Sequence, residues 1–279
     1  MAVEGDPSQA DYLVRLRDPR LVVSYLPGRE GKARAYNRIR PLLEGAPIVF
    51  LVSADVTLHA EVFAEVLRLF EDPQMGVVVP RVQPSPTGTL AGGVGRLLWD
   101  LHDLQLSALS DGSRNVHGGE FVAIRGELLV PFPEDLINDD AYLCVHAIKQ
   151  GFRLHYAREV VVRNEVPRTL KELFNQRRRV SYGHWQLSHM GYRPAILTHM
   201  LTDDLRAALR ILTWSVRTYP EDLPYMPVLL LEESYAVLLS RVDRKGEIDH
   251  TKWTMVPRVT SPDSRTEAVP PGTSHPRTR

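Results

Sequence analysis

The sequence predicts an α/β protein, a mostly parallel sheet flanked by helices and followed by a helical region. Three observations carry that prediction. Residues 47–52 (PIVFLV) form a short apolar run rich in β-branched residues, the pattern of a strand covered on both faces, and it ends in the polar turn Ser53-Ala54-Asp55. Leu58, Val62, Phe63, Val66, Leu67 and Phe70 then recur at three- and four-residue spacing, which puts them on one face of a helix that Asp72-Pro73 terminates. Residues 75–80 (MGVVVP) are the next strand, and strand, helix, strand with short joins is the unit that builds parallel pairing. Ligands of such sheets sit beyond the carboxyl ends of the strands, where Ser53 and Asp55 lie.

The later elements follow in order. Residues 84–95 are rich in glycine and proline, which predicts a mobile loop before a helix over 96–109. His117-Gly118-Gly119-Glu120 leads into a short strand over 121–124. Asn138 is placed to cap a helix that opens with Asp139-Asp140, carries Leu143, Val145, Ala147 and Ile148 on its apolar face, and stops at Gly151. Residues 152–156 and 160–162 read as two further strands, and from Thr169 a basic amphipathic helix runs into Gln176-Arg177-Arg178-Arg179. Beyond Gly191 the pattern is helical, over 196–219 and 226–239. Residues 258–279 have four prolines and hardly any apolar clustering, so a disordered tail is expected there.

Composition narrows the functional classes. The chain has 279 residues, 43% hydrophobic and 24% charged, with 34 basic and 34 acidic side chains, so it is an ordinary globular protein without the field that recruits nucleic acid. Its single cysteine, Cys144, forms neither an intrachain disulfide nor a C-x-x-C pair, which suits a reducing cytoplasm. The first residues have neither the basic nor the apolar region of a signal peptide, and no apolar run approaches the roughly 20 residues that cross a bilayer. The helix over 196–219 nevertheless offers Arg206, Arg210 and Arg217 to anionic headgroups, so the expected location is cytoplasmic, with a peripheral contact to the inner membrane face weighed against plain packing of both C-terminal helices.

Four groups of residues are candidates for chemistry. A carboxylate on a short turn after a buried strand, Asp55, suits a hard divalent cation such as Mg²⁺ or Mn²⁺, or else serves its own turn. Asp139 and Asp140 either stabilise a helix start or place a general base in a cleft. The arginines at 177–179, with Arg168 and Lys171 before them, match phosphate oxygens, and equally suit a solvated basic helix face. Gly31-Lys32 brings a lysine and backbone amides toward an anion without the spacing of a phosphate-binding P-loop. His117, His155, His184 and His189 form no H-x-x-x-H pair, and no G-x-S-x-G elbow is present.

The order of short motifs is more specific than any one of them. G-K-A-x-A-x-N at 31–37 precedes S-A-D-V at 53–56, D-P-x-x-G-V-V at 72–78 and G-G-x-F-V-A-I-R at 118–125. N-D-D-A-Y-L at 138–143, G-F-R-L-x-Y at 151–156 and Q-R-R-R-V at 176–180 complete the series. Over about residues 3–185 it resembles the family 2 glycosyltransferases of the GT-A fold. The resemblance implies an inverting transfer of sugar from a nucleotide-sugar donor to a hydroxyl of a carbohydrate, lipid-linked or small-molecule acceptor. It implies a metal on Asp55, which matches the second aspartate of the family's D-x-D motif, with Ser53 in the first position. It implies a base at Asp140 beside Asp139, and a diphosphate site including Lys32, Ser53, Asp55, Gln176 and Arg179, with Val180 where the Q-x-x-R-W motif has tryptophan. Gly118, Gly119 and Glu120 fall on the acceptor side.

The same resemblance divides the chain into a catalytic domain over 1–190, a helical region over 191–257 and the tail. It aligns residues 3–8 with a segment that follows two strands in the family, so an incomplete base pocket and an unpaired sheet edge open to self-association are expected. Ser53, Val180 and that short start define the competing reading, a glycosyltransferase-like binding protein without turnover. A nucleotidyltransferase is the third.

Overall fold

A computed structural model describes residues 1–110, 118–192, 196–197, 200, 204–245 and 248–251. The predicted tail, His117 and part of the helix expected over 196–219 lie outside the described residues. Strands β1 (Ala2–Glu4) and β2 (Ser24–Leu26) pair in parallel across helix α1 (Pro7–Arg15), forming a small sheet of their own. Asp6 caps α1 because its carboxylate accepts the amides of Ser8 and Gln9. Next come α2 (Lys32–Ile39), β3 (Ile48–Val52), the two-residue β4 (Val56–Thr57), α3 (Glu61–Leu69), β5 (Met75–Pro84) and α4 (Leu90–Ser110). The chain continues with β6 (Phe121–Arg125), α5 (Asp139–Lys149), β7 (Arg153–Asn164), α6 (Leu170–His189), α7 (Leu205–Thr218) and α8 (Met226–Asp243).

The main sheet has the order β3-β6-β5-β7-β4. The α/β class and flanking helices are as expected and parallel pairing occurs in both sheets, but the main sheet is mixed, with β6 antiparallel to both neighbours and β4 antiparallel to β7. β3 and β5 do run in one direction, as a strand–helix–strand unit requires. They are separated because β6, apolar on both faces, inserts between them: Val122 and Ile124 enter one core with Val77 and Val79, whereas Phe121 and Ala123 enter the opposite core with Val78, Val62 and Val66. Sequence periodicity reports that a strand is buried, not which neighbour buries it.

Three local expectations are corrected. The helix after β5 begins at Leu90, not residue 96, since its early glycines fit close approaches that a helix surface permits: a Cβ on Gly93 would lie 2.3 Å from the Tyr225 ring, and one on Gly95 3.2 Å from Val166. The two strands expected over 152–156 and 160–162 are one strand, β7, whose register against β5 shifts between Pro80 and Arg81. Asn138 stands at the start of α5, but its side chain makes no capping bond. Thr169 does cap α6, through a reciprocal pair of bonds with Glu172.

Charge fastens the C-terminal helices to this sheet. Asp103 on α4 is 2% exposed and receives both Nε and Nη2 of Arg158 at 3.0 and 2.9 Å, the Tyr156 hydroxyl at 2.8 Å and the Tyr219 hydroxyl at 3.0 Å. Burial by itself pushes this carboxyl up, but those bonds and the charge of Arg81 outweigh it and hold it below the ordinary range. On α6, Arg177 pairs with Glu233 and Arg178 with Asp243, both on α8. An apolar cluster of Val94, Leu97, Leu101, Leu104, Leu173, Ala208, Ile211 and Leu229 fills the space between α4, α6, α7 and α8. No described helix is long and apolar enough to cross a membrane.

Candidate active site

Residues 53–55 join β3, at one edge of the main sheet, to β4, at the other. The Ser53 amide donates to the Glu120 carbonyl at 2.8 Å, which docks this turn against the start of β6. The Ser53 side chain also bonds the Glu120 carboxylate. Burial, then the charge of Asp55, raises the Glu120 pKa, with Lys32 and the Ser53 bond opposing the rise. The place that the D-x-D pattern reserves for a first aspartate is thus taken by a hydroxyl that serves a glutamate reaching in from β6.

Across this point lie the starts of two helices. Lys32 is the first residue of α2, and its Nζ sits 3.1 Å from Asp139 Oδ1 at the first position of α5. Asp139 is 8% exposed, and this ion pair brings the Lys32 ammonium to a nearly buried carboxylate. Burial works to lower the Lys32 ammonium, yet Asp139, Glu120 and Asp140 together hold it above its ordinary value. Asp140 is pushed up to about 8, first by burial and then by the charge of Asp139, against the pull of Lys32 and a bond from the Ala141 amide. A carboxyl so placed ionises near neutral pH, where a general base is most effective.

The third wall is α6. Arg179 feels the charges of Asp139, Glu120 and Asp140, although burial outweighs them and lowers its pKa. Its Nε donates to the carbonyl of His250 at 3.1 Å. Gln176 lies one turn earlier on the same helix face. Of the arginine cluster, only Arg179 is turned to this cleft, because Arg177 and Arg178 are spent on α8 and Arg168 on Glu165 at 3.7 Å. Gly118 and Gly119 directly precede Glu120, and their lack of a side chain is accounted for by packing: a Cβ on Gly118 would meet Val122 and Val79 at 3.0 Å, and one on Gly119 the Trp99 ring at 2.8 Å.

The structure therefore brings Lys32, Ser53, Asp55, Glu120, Asp139, Asp140 and Arg179 into one electrostatically coupled group, drawn from α2, the turn after β3, the start of β6, α5 and α6. Sequence reasoning missed the segment that borders it on the C-terminal side. The His250 ring lies tilted against the Tyr182 ring, centroids 4.7 Å apart, and approaches Asp243 at 3.1 Å, and the Thr251 carbonyl lies where a Cβ on Gly31 would be 2.9 Å away. Gly31 also has φ +102°, a conformation open to glycine. No motif marks residues 250 and 251; only the missing side chain of Gly31 hinted at a close approach.

Comparison with known proteins identifies the family of the chain. The family model described as glycosyltransferase like family 2 matches residues 14–183. The chain belongs to glycosyltransferase family 2. Glycosyl transfer is the chemistry of that family, and the matched span includes every residue of the coupled group. Among solved structures, this family 2 chain is similar to the mannosyltransferase PcManGT from Pyrobaculum calidifontis, solved in complex with GDP-Man and Mn²⁺, with 18% identity and a TM-score of 0.57 over 88% of this chain and 77% of that one. That likeness shows the GT-A fold. A mycobacterial protein matches with 18% identity and a TM-score of 0.42 over 70% of this chain and 64% of its own. No curated protein matches the family 2 chain described here in sequence.

Proposed function

We propose that this chain is an inverting, metal-dependent transferase that moves a sugar from a nucleotide-sugar donor to an acceptor hydroxyl, with residues 1–190 as its catalytic unit. The observation that carries the proposal is the coupling of Asp140, whose pKa is pushed up to about 8, with Lys32 and Arg179 across one cleft. An acceptor hydroxyl is a poor nucleophile and a nucleoside diphosphate a charged leaving group, so the enzyme must take a proton on one side and neutralise charge on the other. Asp140 takes the proton. Lys32 and Arg179 face the diphosphate, and Asp139 holds Lys32 in place. A single displacement inverts the anomeric centre.

The donor set around Asp55 consists of carboxylate and hydroxyl oxygens, the chemistry that suits Mg²⁺ or Mn²⁺, although among the described residues no group of three ligands is preassembled. Asp55 would hold the ion, next to Glu120, and the ion would supply further charge neutralisation for the diphosphate. PcManGT was solved with GDP-Man and Mn²⁺, which makes that pair the first to test.

A second reading, a glycosyltransferase-like protein that binds without turnover, is favoured by Ser53 in the first position of the metal motif. One experiment separates the two. The protein is incubated with Mn²⁺ and a panel of nucleotide sugars led by GDP-mannose, and nucleoside diphosphate release is followed with and without simple sugar acceptors. Release that needs Mn²⁺ and leaves a product of inverted configuration supports transfer; binding without release from any donor supports the second reading; release of pyrophosphate overturns both.

A further inference from the structure

We infer that Asn138 is a positioning residue for transfer, locking the start of α5, and so the Asp140 carboxylate, to the helix that carries Arg179. The inference rests on the proposed role of Asp140 as base. Asn138 occupies the position from which a polar side chain ordinarily caps the helix by accepting the amide two or three residues on. It does not do so. Its carboxamide nitrogen instead donates to the Val180 carbonyl at 3.1 Å and approaches His184 Nδ1 at 3.1 Å, both on α6. With that nitrogen as donor, Nδ1 must accept, and the ring proton resides on Nε2.

Two features show that this tie is built rather than incidental. First, α6 makes room for it: Gly183 is buried, and a Cβ there would lie 2.5 Å from the Asn138 carboxamide oxygen. Glycine in a helix interior is less favourable than alanine, so the close approach offsets a real penalty. Second, one turn on, Gln186 grips the same strand of chain, accepting the Ile137 amide at 3.1 Å and donating to the Asp135 carbonyl at 2.9 Å. Asn37 on α2 grips its beginning, exchanging bonds of 2.8 and 2.7 Å with the backbone of Phe132.

Withdrawing Asn138 from the cap has a direct consequence for the chemistry. The Ala141 amide, which a capping side chain would take, is left to bond the Asp140 carboxylate. The base is thereby oriented by the helix start, and the helix start by α6. The same helix carries Arg179, so the proton acceptor and a leaving-group cation share one rigid frame. Displacement of about 1 Å in such a frame costs up to about 100-fold in rate.

Asn138→Ser separates positioning from stability, because serine is a good cap for α5 but too short to reach Val180 or His184. Gly183→Ala approaches from the other side, improving helix propensity while driving a methyl group into Asn138. With GDP-mannose and Mn²⁺ as probe, or the fastest donor of the panel, both variants are expected to lose roughly 10- to 100-fold in kcat while donor affinity stays within about twofold and Tm falls by only a few degrees, which leaves the protein folded at the assay temperature. The double variant should be no slower than Asn138→Ser alone, since the added methyl acts through the side chain already removed. Turnover within twofold of the wild type in Asn138→Ser, or donor affinity falling in step with kcat, overturns the positioning role. Should Asp140→Asn abolish release while Asn138→Ser leaves it intact, only this inference falls; wild-type release by Asp140→Asn overturns the reading beneath it as well.

Discussion

Replacing Asp140 with asparagine keeps the shape of the side chain and removes one ionisable group, so it isolates the proton transfer. The wild-type carboxyl is pushed up to about 8, mainly by burial and the adjacent Asp139 charge. About one-tenth of the donor-free enzyme then carries an ionised base at pH 7 and about nine-tenths at pH 9, which makes kcat/KM rise about tenfold between them. Asparagine has no proton to exchange, so turnover should fall by roughly 10² to 10⁴ and lose that pH dependence, while donor affinity is kept. Stability moves the other way. Because the folded pKa lies above the ordinary 3.8, protonated Asp140 contributes stability that is fully present below about pH 3.8 and is lost as pH rises through about 8. The Tm of the variant should therefore gain on the wild type across that window and level off above it. The assay is nucleoside diphosphate release at saturating Mn²⁺ from pH 6 to 9, with melting curves on the same samples. A variant that releases at the wild-type rate, or a wild-type rate flat across pH 7 to 9, would refute the assignment of Asp140 as base.

Asp55→Ala lies on an exposed turn, so stability should change by no more than about 0.5 kcal/mol, while Mn²⁺-dependent binding of GDP, read by calorimetry, should be lost; unchanged metal dependence removes Asp55 from the site. Lys32→Met leaves the 8%-exposed Asp139 without its 3.1 Å partner, at an expected cost of about 1–2 kcal/mol after allowing for the half-exposed lysine. The midpoint of the pH–rate profile should also move upward, because Lys32 opposes the rise at Asp140; a midpoint that stays in place contradicts the coupling. Asp100 on α4 is pushed up to about 7 by burial and by its bond to and charge of Asp222, against Arg81 and Arg96. The bond between these two carboxyl groups exists only when Asp100 holds its proton, so that stability is full below about pH 3.8 and lost as pH rises through about 7. Asp100→Asn supplies a permanent donor and should raise Tm above pH 7 but not near pH 4, at about 2–4 °C for each kcal/mol; equal melting at both pH values refutes the shared proton.

What the sequence determined by itself was what is local. Apolar runs, helical spacing and the turns at Ser53-Ala54-Asp55 and Gly151 marked most strands and helices, because burial of a face and the end of a helix leave periodic and compositional traces. The order of short motifs was enough to single out Lys32, Asp55, Asp139, Asp140 and Arg179 and to point to the family whose model spans residues 14–183. What only the tertiary structure decided was how distant charges are shared out. Three consecutive arginines look alike in sequence, but successive residues on a helix face different directions, so Arg177 and Arg178 meet α8 and Arg179 meets the cleft. Glu120 stands next to Ser53 and Asp55 only because β6 inserts beside β3, and Asn138 forsakes its cap only because α6 presents Val180, Gly183 and His184 to it. Electrostatic and hydrogen-bond partners depend on separation in space, and separation along the chain carries no record of it.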